Sequence, residues 1–140
     1  MATDLVAVED ELIERLAAVG IANGVSISKL DAFKLKEPVQ SGQVFIVYNG
    51  LKASDVLTFN AIQTTTFRYQ IWVRYVNLAT HDQAYPLLGA IKDRLRDFKP
   101  LGRLCTKPMR FVQEKPDLSQ VSDYGIWAYI QDYEFDLLEV

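Results

Sequence analysis

The end of the chain, Gly125–Val140, reads GIWAYIQDYEFDLLEV and contains no proline and no glycine after its first residue. Large apolar side chains recur at alternate positions of this stretch: Trp127, Tyr129, Tyr133, Phe135 and Leu137. The positions between them include three acids: Asp132, Glu134 and Asp136. Successive side chains of an extended chain point to opposite faces. The pattern therefore predicts a long β-strand with one buried face and one acidic face.

The predicted length of this strand is large for a chain of 140 residues. At roughly 3.3 Å per residue it would span about 45–50 Å. A compact domain of this size has a diameter of only about 37 Å. Two explanations remain open. A bulge bends the strand, or the strand projects and pairs with another subunit, which would indicate assembly.

A second long strand is predicted at Thr64–Val76, TTTFRYQIWVRYV. One face carries apolar residues: Phe67, Tyr69, Ile71, Val73 and Tyr75. The other face carries mainly polar ones: Thr66, Arg68, Gln70 and Arg74. Trp72 is the exception on this polar face. A tryptophan among polar neighbours is an interface signal, although single exposed tryptophans are also common.

The first half of the chain predicts an amphipathic helix and two further strands. The helix is expected over Asp4–Val19, with Thr3 as N-cap and Gly20 as its stop. A short strand is expected at Val25–Ser28 and a second strand at Gln43–Tyr48, which closes at Asn49-Gly50. We also expect a helical turn at Asp31–Lys36 and a long loop or flap over Leu51–Ile62. The run QVFIVY is typical of a strand covered on both faces.

A second helix follows, with an apolar stripe formed by Ala84, Leu88, Ile91, Leu95 and Phe98. Thr80 and Gln83 have the spacing of a capping box, but a start at Thr80 conflicts with Pro86, whose ring blocks an interior hydrogen bond. Asp82 as the N-cap would place Pro86 in the first turn. The helix is expected to end near Pro100 and Gly102. Afterwards we expect a strand at Met109–Lys115, bounded by Pro108 and Pro116, and a loop at Asp117–Asp123.

These elements predict a single domain over residues 1–140 with an α+β fold. We expect a mainly antiparallel, twisted sheet of about four to five strands, with two helices packed on one face.

Composition limits the class of protein. The formal net charge of −3 argues against tight nucleic-acid binding, which needs clustered Lys and Arg. The single cysteine, Cys105, cannot form an internal disulfide. The acidic N-terminus does not resemble a signal peptide, and no apolar run reaches the ~20 residues of a membrane span. We expect a soluble, intracellular protein.

Candidate chemistry is sparse. His81 and Cys105 are the only residues of their types, and their flanking sequences match no nucleophile motif. One histidine and one cysteine cannot close a tetrahedral metal site. We expect no catalytic residue, no cofactor and no metal, and hence no enzyme.

The order and spacing of five segments resemble the tail protein family of Mu-like bacteriophages. They are VEDELIERL, VFIVYNG, FRYQIWVRYVN, AYPLLGAIKDRL and DYGIWAYIQDYEF, and the resemblance covers roughly Leu5 to Phe135. It implies a tail-terminator-like subunit that forms a ring, usually a hexamer, on the head-proximal end of the tail tube. Such a ring ends tube polymerisation and offers a docking surface to the head connector.

The partners implied by this resemblance are other copies of the chain, the tail tube protein and head–tail connector proteins. Genomic DNA would pass through the lumen without specific binding, and no membrane is involved. The protein would reside in the virion, at the head-proximal end of the tail, and in the host cytoplasm during assembly. Two alternatives stay open: a head–tail connector (neck) protein, and a small ligand-binding or enzymatic α+β domain.

The candidate subunit interface consists of residues from the two long strands: Arg68, Trp72, Arg74, Asp132, Tyr133 and Glu134. A charged residue in place of Trp72 or Tyr133 is predicted to weaken ring formation while the monomer stays folded. The arginines are predicted to pair with the acids of the last strand if the strands are neighbours, and Arg74 with Glu134 is the pair proposed for a charge swap.

Overall fold

The computed structural model describes residues 3–31, 35, 42–53, 63–76 and 78–139. Its elements in chain order are α1 (Leu5–Asn23), β1 (Ser26–Lys29), β2 (Gly42–Ala53), β3 (Gln63–Tyr75), α2 (Tyr85–Leu95), β4 (Cys105–Asp117), α3 (Val121–Tyr124) and β5 (Trp127–Glu139). Short 3-10 turns at His81–Ala84 and Gly102–Leu104 precede α2 and β4.

The five strands form one sheet in the order β1-β2-β3-β5-β4. The pair β1–β2 is parallel, and the three other pairs are antiparallel. Helices α1 and α2 bury their apolar stripes against the same face of this sheet, around Phe67, Tyr69 and Phe135. The predicted α+β class, with a mainly antiparallel sheet and two helices on one face, is confirmed.

Strand β5 lies in the interior of the sheet, with β3 on one side and β4 on the other. All 13 of its residues are in register with β3, from Trp127 opposite Tyr75 to Glu139 opposite Gln63. The alternative in which this strand projects and pairs with another subunit is therefore wrong, and the strand length gives no support for assembly. Both neighbours of β5 belong to the same chain. Strands β3 and β4 are each 13 residues long, as β5 is, so they match its length.

The alternation of β5 places Tyr129, Tyr133, Phe135 and Leu137 in the core, as predicted. Gln131 belongs to the same row and is fully buried. Its amide group donates to the Leu88 carbonyl oxygen at 3.1 Å and to Glu114 Oε1 at 2.8 Å. Its Oε1 accepts from the Tyr133 hydroxyl at 2.8 Å. These bonds offset the desolvation of the amide and connect β5 to α2 and β4.

The bounds of α1 differ from the prediction at both ends. Asp4, not Thr3, is the N-cap, because its carboxylate accepts from the Ala7 N–H at 3.1 Å. The helix continues through Gly20 to Asn23 and ends at Gly24, whose φ of 66° is left-handed. Gly20 allows α1 to approach β1 closely, since a Cβ there would lie 2.8 Å from Ile27 Cδ1.

Helix α2 also differs at both ends. The 3-10 turn resolves the conflict at Pro86, because the α-helix begins only at Tyr85 and Pro86 lies in its first turn. Gln83 Oε1 accepts from the Ala79 N–H at 2.6 Å and the Thr80 N–H at 3.4 Å, as a capping box requires. The last helical residue is Leu95, before the expected Pro100.

Two strands are longer than predicted. Strand β2 continues past Asn49-Gly50 to Ala53. Gly50, with a φ of 98°, lies where the β2–β3 register shifts, and pairing resumes at Leu51 instead of ending in a turn. Strand β4 includes Pro108 and Pro116, which were expected to bound it. Among the described strands it pairs only with β5 and is an edge strand, where a missing N–H is tolerated. The expected loop at Asp117–Asp123 instead contains the end of β4 and the start of α3.

The predicted helical turn at Asp31–Lys36 lies mostly outside the described residues, as does the greater part of the predicted loop at Leu51–Ile62.

The N-terminus is joined to the end of β5 through Glu139. One carboxylate oxygen accepts from the Thr3 N–H at 3.0 Å and the Thr3 hydroxyl at 2.8 Å, and the other accepts from the Thr65 hydroxyl at 2.6 Å. Burial alone would raise the pKa of Glu139, but the hydrogen bonds from Thr65 and Thr3 outweigh it, so the pKa lies below its ordinary value.

Glu139→Gln should lower the free energy of unfolding by about 1 kcal/mol at neutral pH, because the charged acceptor of these bonds is lost. A lowered native pKa stabilises the fold above the unfolded pKa, and this stabilisation is lost as the pH falls through the native pKa. The difference between the parent and the variant should therefore shrink below pH 4.5, the ordinary value for this group. Urea unfolding as a function of pH measures it. Glu14→Gln, at an exposed site, is the control, and a difference independent of pH would contradict the assignment.

Tyr69 and Tyr133 form a matched pair of buried tyrosines that differ in hydrogen bonding. The Tyr133 hydroxyl donates to Gln131, whereas the Tyr69 hydroxyl has no partner among the described residues. Tyr133→Phe should cost about 1–2 kcal/mol, because it leaves the Gln131 oxygen unsatisfied. Tyr69→Phe should be neutral or stabilising, because it removes an unpaired buried hydroxyl. Denaturant unfolding measures both, and an equal loss of stability in the two variants would contradict these different hydrogen-bonding states.

Candidate assembly surface

The sheet face opposite α1 and α2, here called the outer face, carries five of the six predicted interface residues. The pairing registers place them in rows that run across the strands. A row near one end of the sheet is apolar and contains Phe45, Trp72 and Ile130 as direct cross-strand neighbours. Phe45 is only 1% exposed, and Trp72 is half-buried. The expectation that the QVFIVY strand is covered on both faces is confirmed at Phe45, and Trp72 lies beside apolar neighbours.

The next row is a chain of hydrogen bonds between amide and carboxylate groups. The Trp72 indole N–H donates to Gln70 Oε1 at 2.9 Å, and Gln70 Nε2 donates to Asp132 Oδ1 at 2.9 Å. The second oxygen of Asp132 accepts from Gln113 Nε2 at 2.6 Å. Asp132 is therefore held between β3 and β4 by side chains of its own subunit.

The third row is a charged cluster around Glu134. Arg68 on β3 lies 3.9 Å from one Glu134 oxygen, and Arg110 on β4 lies 3.2 Å from the other. Arg110 also approaches Asp136 at 3.1 Å, and the Asp136 side chain is only 7% exposed. All three acids that β5 places on the outer face thus have partners within the chain, which reduces their capacity to bind a second subunit.

Arg74 lies at the apolar end of the outer face. Its guanidinium donates to Gln43 Oε1 at 3.2 Å, and burial lowers the pKa of Arg74 below its ordinary value. Together with Trp72, Ile130, Asp117 and other residues it lines a recess of about 280 Å³. A half-buried tryptophan beside an arginine is a composition enriched at the centres of protein interfaces.

Two expectations about the interface residues are wrong. The Tyr133 side chain lies in the core and is 2% exposed, so a charge placed there would disrupt the folded monomer before any subunit contact. Arg74 does not face Glu134, because the register pairs Arg74 with Ala128 and Glu134 with Arg68. Six residues of strand separate the two sites by about 20 Å. Arg68, Trp72, Arg74, Asp132 and Glu134 share the outer face, and an interface role for them stays a prediction.

Arg110 and Gln113, which complete the rows on β4, were not predicted from the sequence. Arg110 and Gln113 are three residues apart, so a regular strand would place them on opposite faces, and the sequence carries no alternation signal for them. The register shift between Phe111 and Gln113 brings both to the outer face. Only the pairing of β4 with β5 brings Arg110 to Glu134 and Gln113 to Asp132.

The residues considered for chemistry are not brought into a cluster. His81 is exposed, and its ring contacts the Tyr85 ring with centroids 5.7 Å apart. Cys105 is buried, its thiol donates to the Lys107 carbonyl oxygen at 3.2 Å, and burial raises its pKa. Within the described ranges no three His, Cys, Asp or Glu residues are placed to hold a metal ion. None of the helices in the described part of the chain combines the length and apolar character of a membrane span.

No family model and no curated protein sequence matches the chain. Among solved structures, a chain from the virion of a native gene transfer agent particle superposes with a TM-score of 0.71 at 13% identity, over 99% of this chain and 100% of that one. The fold is shared with that virion chain. A second similar structure, the sheath/tube terminator of an extracellular contractile injection system, has a TM-score of 0.48 at 13% identity, over 98% of this chain and 58% of that one. Membership of the Mu-like family is not confirmed by these comparisons.

A double-mutant cycle tests the observed register on the outer face. Arg68→Ala and Glu134→Ala should couple by about 0.2–1 kcal/mol, the usual range for exposed ion pairs. Arg74→Ala with Glu134→Ala is the matched control and should be additive, because these residues lie far apart. Denaturant unfolding of the single and double variants measures both couplings. Coupling at Arg74 and none at Arg68 would contradict the register.

Proposed function

We propose that the protein is a structural subunit of a phage tail, forming a ring that caps the head-proximal end of the tail tube. The ring ends tube polymerisation and offers the docking surface for the head connector. Its partners in this proposal are other copies of the chain, the tail tube protein and head–tail connector proteins. It resides in the virion, and in the host cytoplasm during assembly.

The observation that carries this proposal is the full-length likeness to a virion chain, which covers 99% of this protein and 100% of the neighbour. The sequence resemblance to tail proteins of Mu-like phages also points to a virion protein, and specifically to the tail, from independent features, namely the order and spacing of five segments.

The architecture supports a capping role in physical terms. A ring subunit needs two different surfaces that complement each other, because head-to-tail contacts close into a ring when the rotation allows it. The sheet has two unlike edges, a short parallel strand β1 and a long irregular strand β4. A cap then needs only one further surface, which binds the last tube subunits and cannot itself be extended.

The charge distribution also suits a ring through which genomic DNA passes without specific binding. The chain carries a net charge of −3, and Arg68 and Arg110 on the outer face are engaged by acids of β5. Guanidinium groups held by carboxylates are less available to phosphates, so strong retention of DNA is not expected on this face.

Deleting the gene should give tails of abnormal, mostly excessive, length and heads without tails, because no ring would occupy the site where the next tube subunit adds. Negative-stain electron microscopy of lysates measures both properties. The control is the deletion strain complemented with the parent protein, which should restore uniform tails joined to filled heads.

Tails of normal length joined to filled heads in the deletion strain would contradict the proposal. Normal tails beside empty or leaking heads would instead support a head–tail connector at the neck.

A further inference from the structure

The two lateral sides of the molecule differ in charge. The segment Lys92–Lys115, from the second half of α2 into β4, contains eight basic residues against three acidic ones, although the whole chain is acidic. The basic residues are Lys92, Arg94, Arg96, Lys99, Arg103, Lys107, Arg110 and Lys115. This side of the molecule ends in the edge strand β4 and is here called the basic β4 edge.

Several of these charges are not neutralised within the chain. Arg96 and Arg110 form ion pairs with acids of the same subunit. Lys99, Lys107 and Lys115 are exposed and have no carboxylate within 4.0 Å in the part of the chain that the structure describes. A partner of opposite charge would therefore gain interactions that the subunit does not supply.

The basic β4 edge also exposes apolar side chains. Phe111 and Val112 on β4 and Leu104 just before it are exposed by 38–49%. Strand β4 pairs with β5 on one side, and on its other side Met109 exchanges backbone hydrogen bonds with Asp97 and Phe98. Beyond Met109, from Arg110 to Asp117, no strand among the described residues pairs with this side, which leaves open backbone groups there. Charge, apolar area and open backbone on one strip are the properties of an interaction surface.

The opposite side of the molecule has complementary properties. Helix α1 packs beside β1, where Lys29 contacts Glu9 at 3.8 Å and Asp10 at 3.2 Å. Besides its core stripe, α1 has a second strip at helical spacing: Val6, Asp10, Ile13, Glu14, Ala17 and Ile21. This strip is here called the acidic α1 flank. Ile13 also packs against the core, and Glu14 lines the groove between α1 and α2.

The acidic α1 flank is exposed to an unusual degree for its apolar content. Val6 is 58% exposed and Ile21 is 85% exposed. Asp10 and Glu14 are exposed as well. The residues that precede Arg15 include five acids and no basic residue: Asp4, Glu9, Asp10, Glu11 and Glu14.

We infer that the basic β4 edge of one copy docks on the acidic α1 flank of the next copy. The two surfaces are opposite in charge, and each includes exposed apolar side chains. Their outermost charges, Lys107 and Lys115 on β4 and Asp10 beside β1, lie toward opposite edges of the sheet, and Asp10 also contacts Lys29 of its own subunit. The contact between the two surfaces is therefore heterologous, and repeated contacts form a ring if the rotation closes. The inference rests on the proposed function, for which it names the surfaces that join the subunits.

A charge-swap experiment tests this contact. The first variant, Asp10→Lys/Glu14→Lys, makes both sides of the subunit basic. The second variant, Lys107→Glu/Lys115→Glu, makes both sides acidic. Each should assemble at least ten-fold more weakly than the parent, because its own two surfaces repel. An equal mixture should recover rings in which the two variants alternate, and native mass spectrometry at low salt resolves them by mass.

Controls separate the contact from folding and from general charge effects. Lys52→Glu changes an exposed charge on β2 and should assemble like the parent. Thermal unfolding checks that each variant is folded. Lys107→Gln/Lys115→Gln replaces the second variant if the reversed charges next to the acids of β5 unfold the monomer, and it should show weaker assembly and a reduced dependence on salt.

A parent that stays monomeric at its highest soluble concentration in low salt would overturn the inference, as would variants that assemble like the parent or a mixture without alternation. Failure of this contact can be distinguished from failure of the proposed function, because the tail-length phenotype of the deletion strain is measured independently of the subunit contact.

Discussion

Most of the structure depends on the pairing of strand β5. It pairs with β3 along its full length and with β4 between Ala128 and Leu137. Because side chains alternate, one register decides which residues enter the core and which meet on the outer face. A slip by one residue would turn Tyr133 and Phe135 outward and bury Asp132 and Glu134. The observed register instead aligns the aromatic residues of β3 and β5, with Phe67 and Phe135 stacked at 5.7 Å between ring centroids.

The sequence predicts well what depends on local periodicity. The faces of β3 and β5, the stripes of α1 and α2, and the helices on one face of a mainly antiparallel sheet follow from apolar spacing. It predicts poorly what depends on pairing between distant segments. Pro108 and Pro116 suggest boundaries because the position of β4 at an edge cannot be read from its sequence. The expected pair between Arg74 and Glu134 is wrong because the sequence does not show the register of β3 against β5. Gly20 is expected to stop α1 because the sequence does not show its close approach to Ile27 on β1.

The outer face and the lateral sides have different electrostatic roles. On the outer face the acids of β5 are held by Arg68, Gln70, Arg110 and Gln113, so that face is stabilised within the subunit. Lys107 and Lys115 have no ion-pair partner in the described part of the chain and lie on the β4 edge. Sequence reasoning placed the interface on the long strands because they carry the clearest pattern. The structure shows that this pattern largely serves the subunit's own fold.

The central claim is that this chain forms one ring at the head-proximal end of a tail. Cryo-electron microscopy of purified particles tests it most directly. The account predicts a single ring of this fold between the last layer of the tail tube and the head connector, with β4 of each copy against α1 of its neighbour. Density for this fold repeated along the tube, at the distal tip, or absent from the head-proximal end would contradict it.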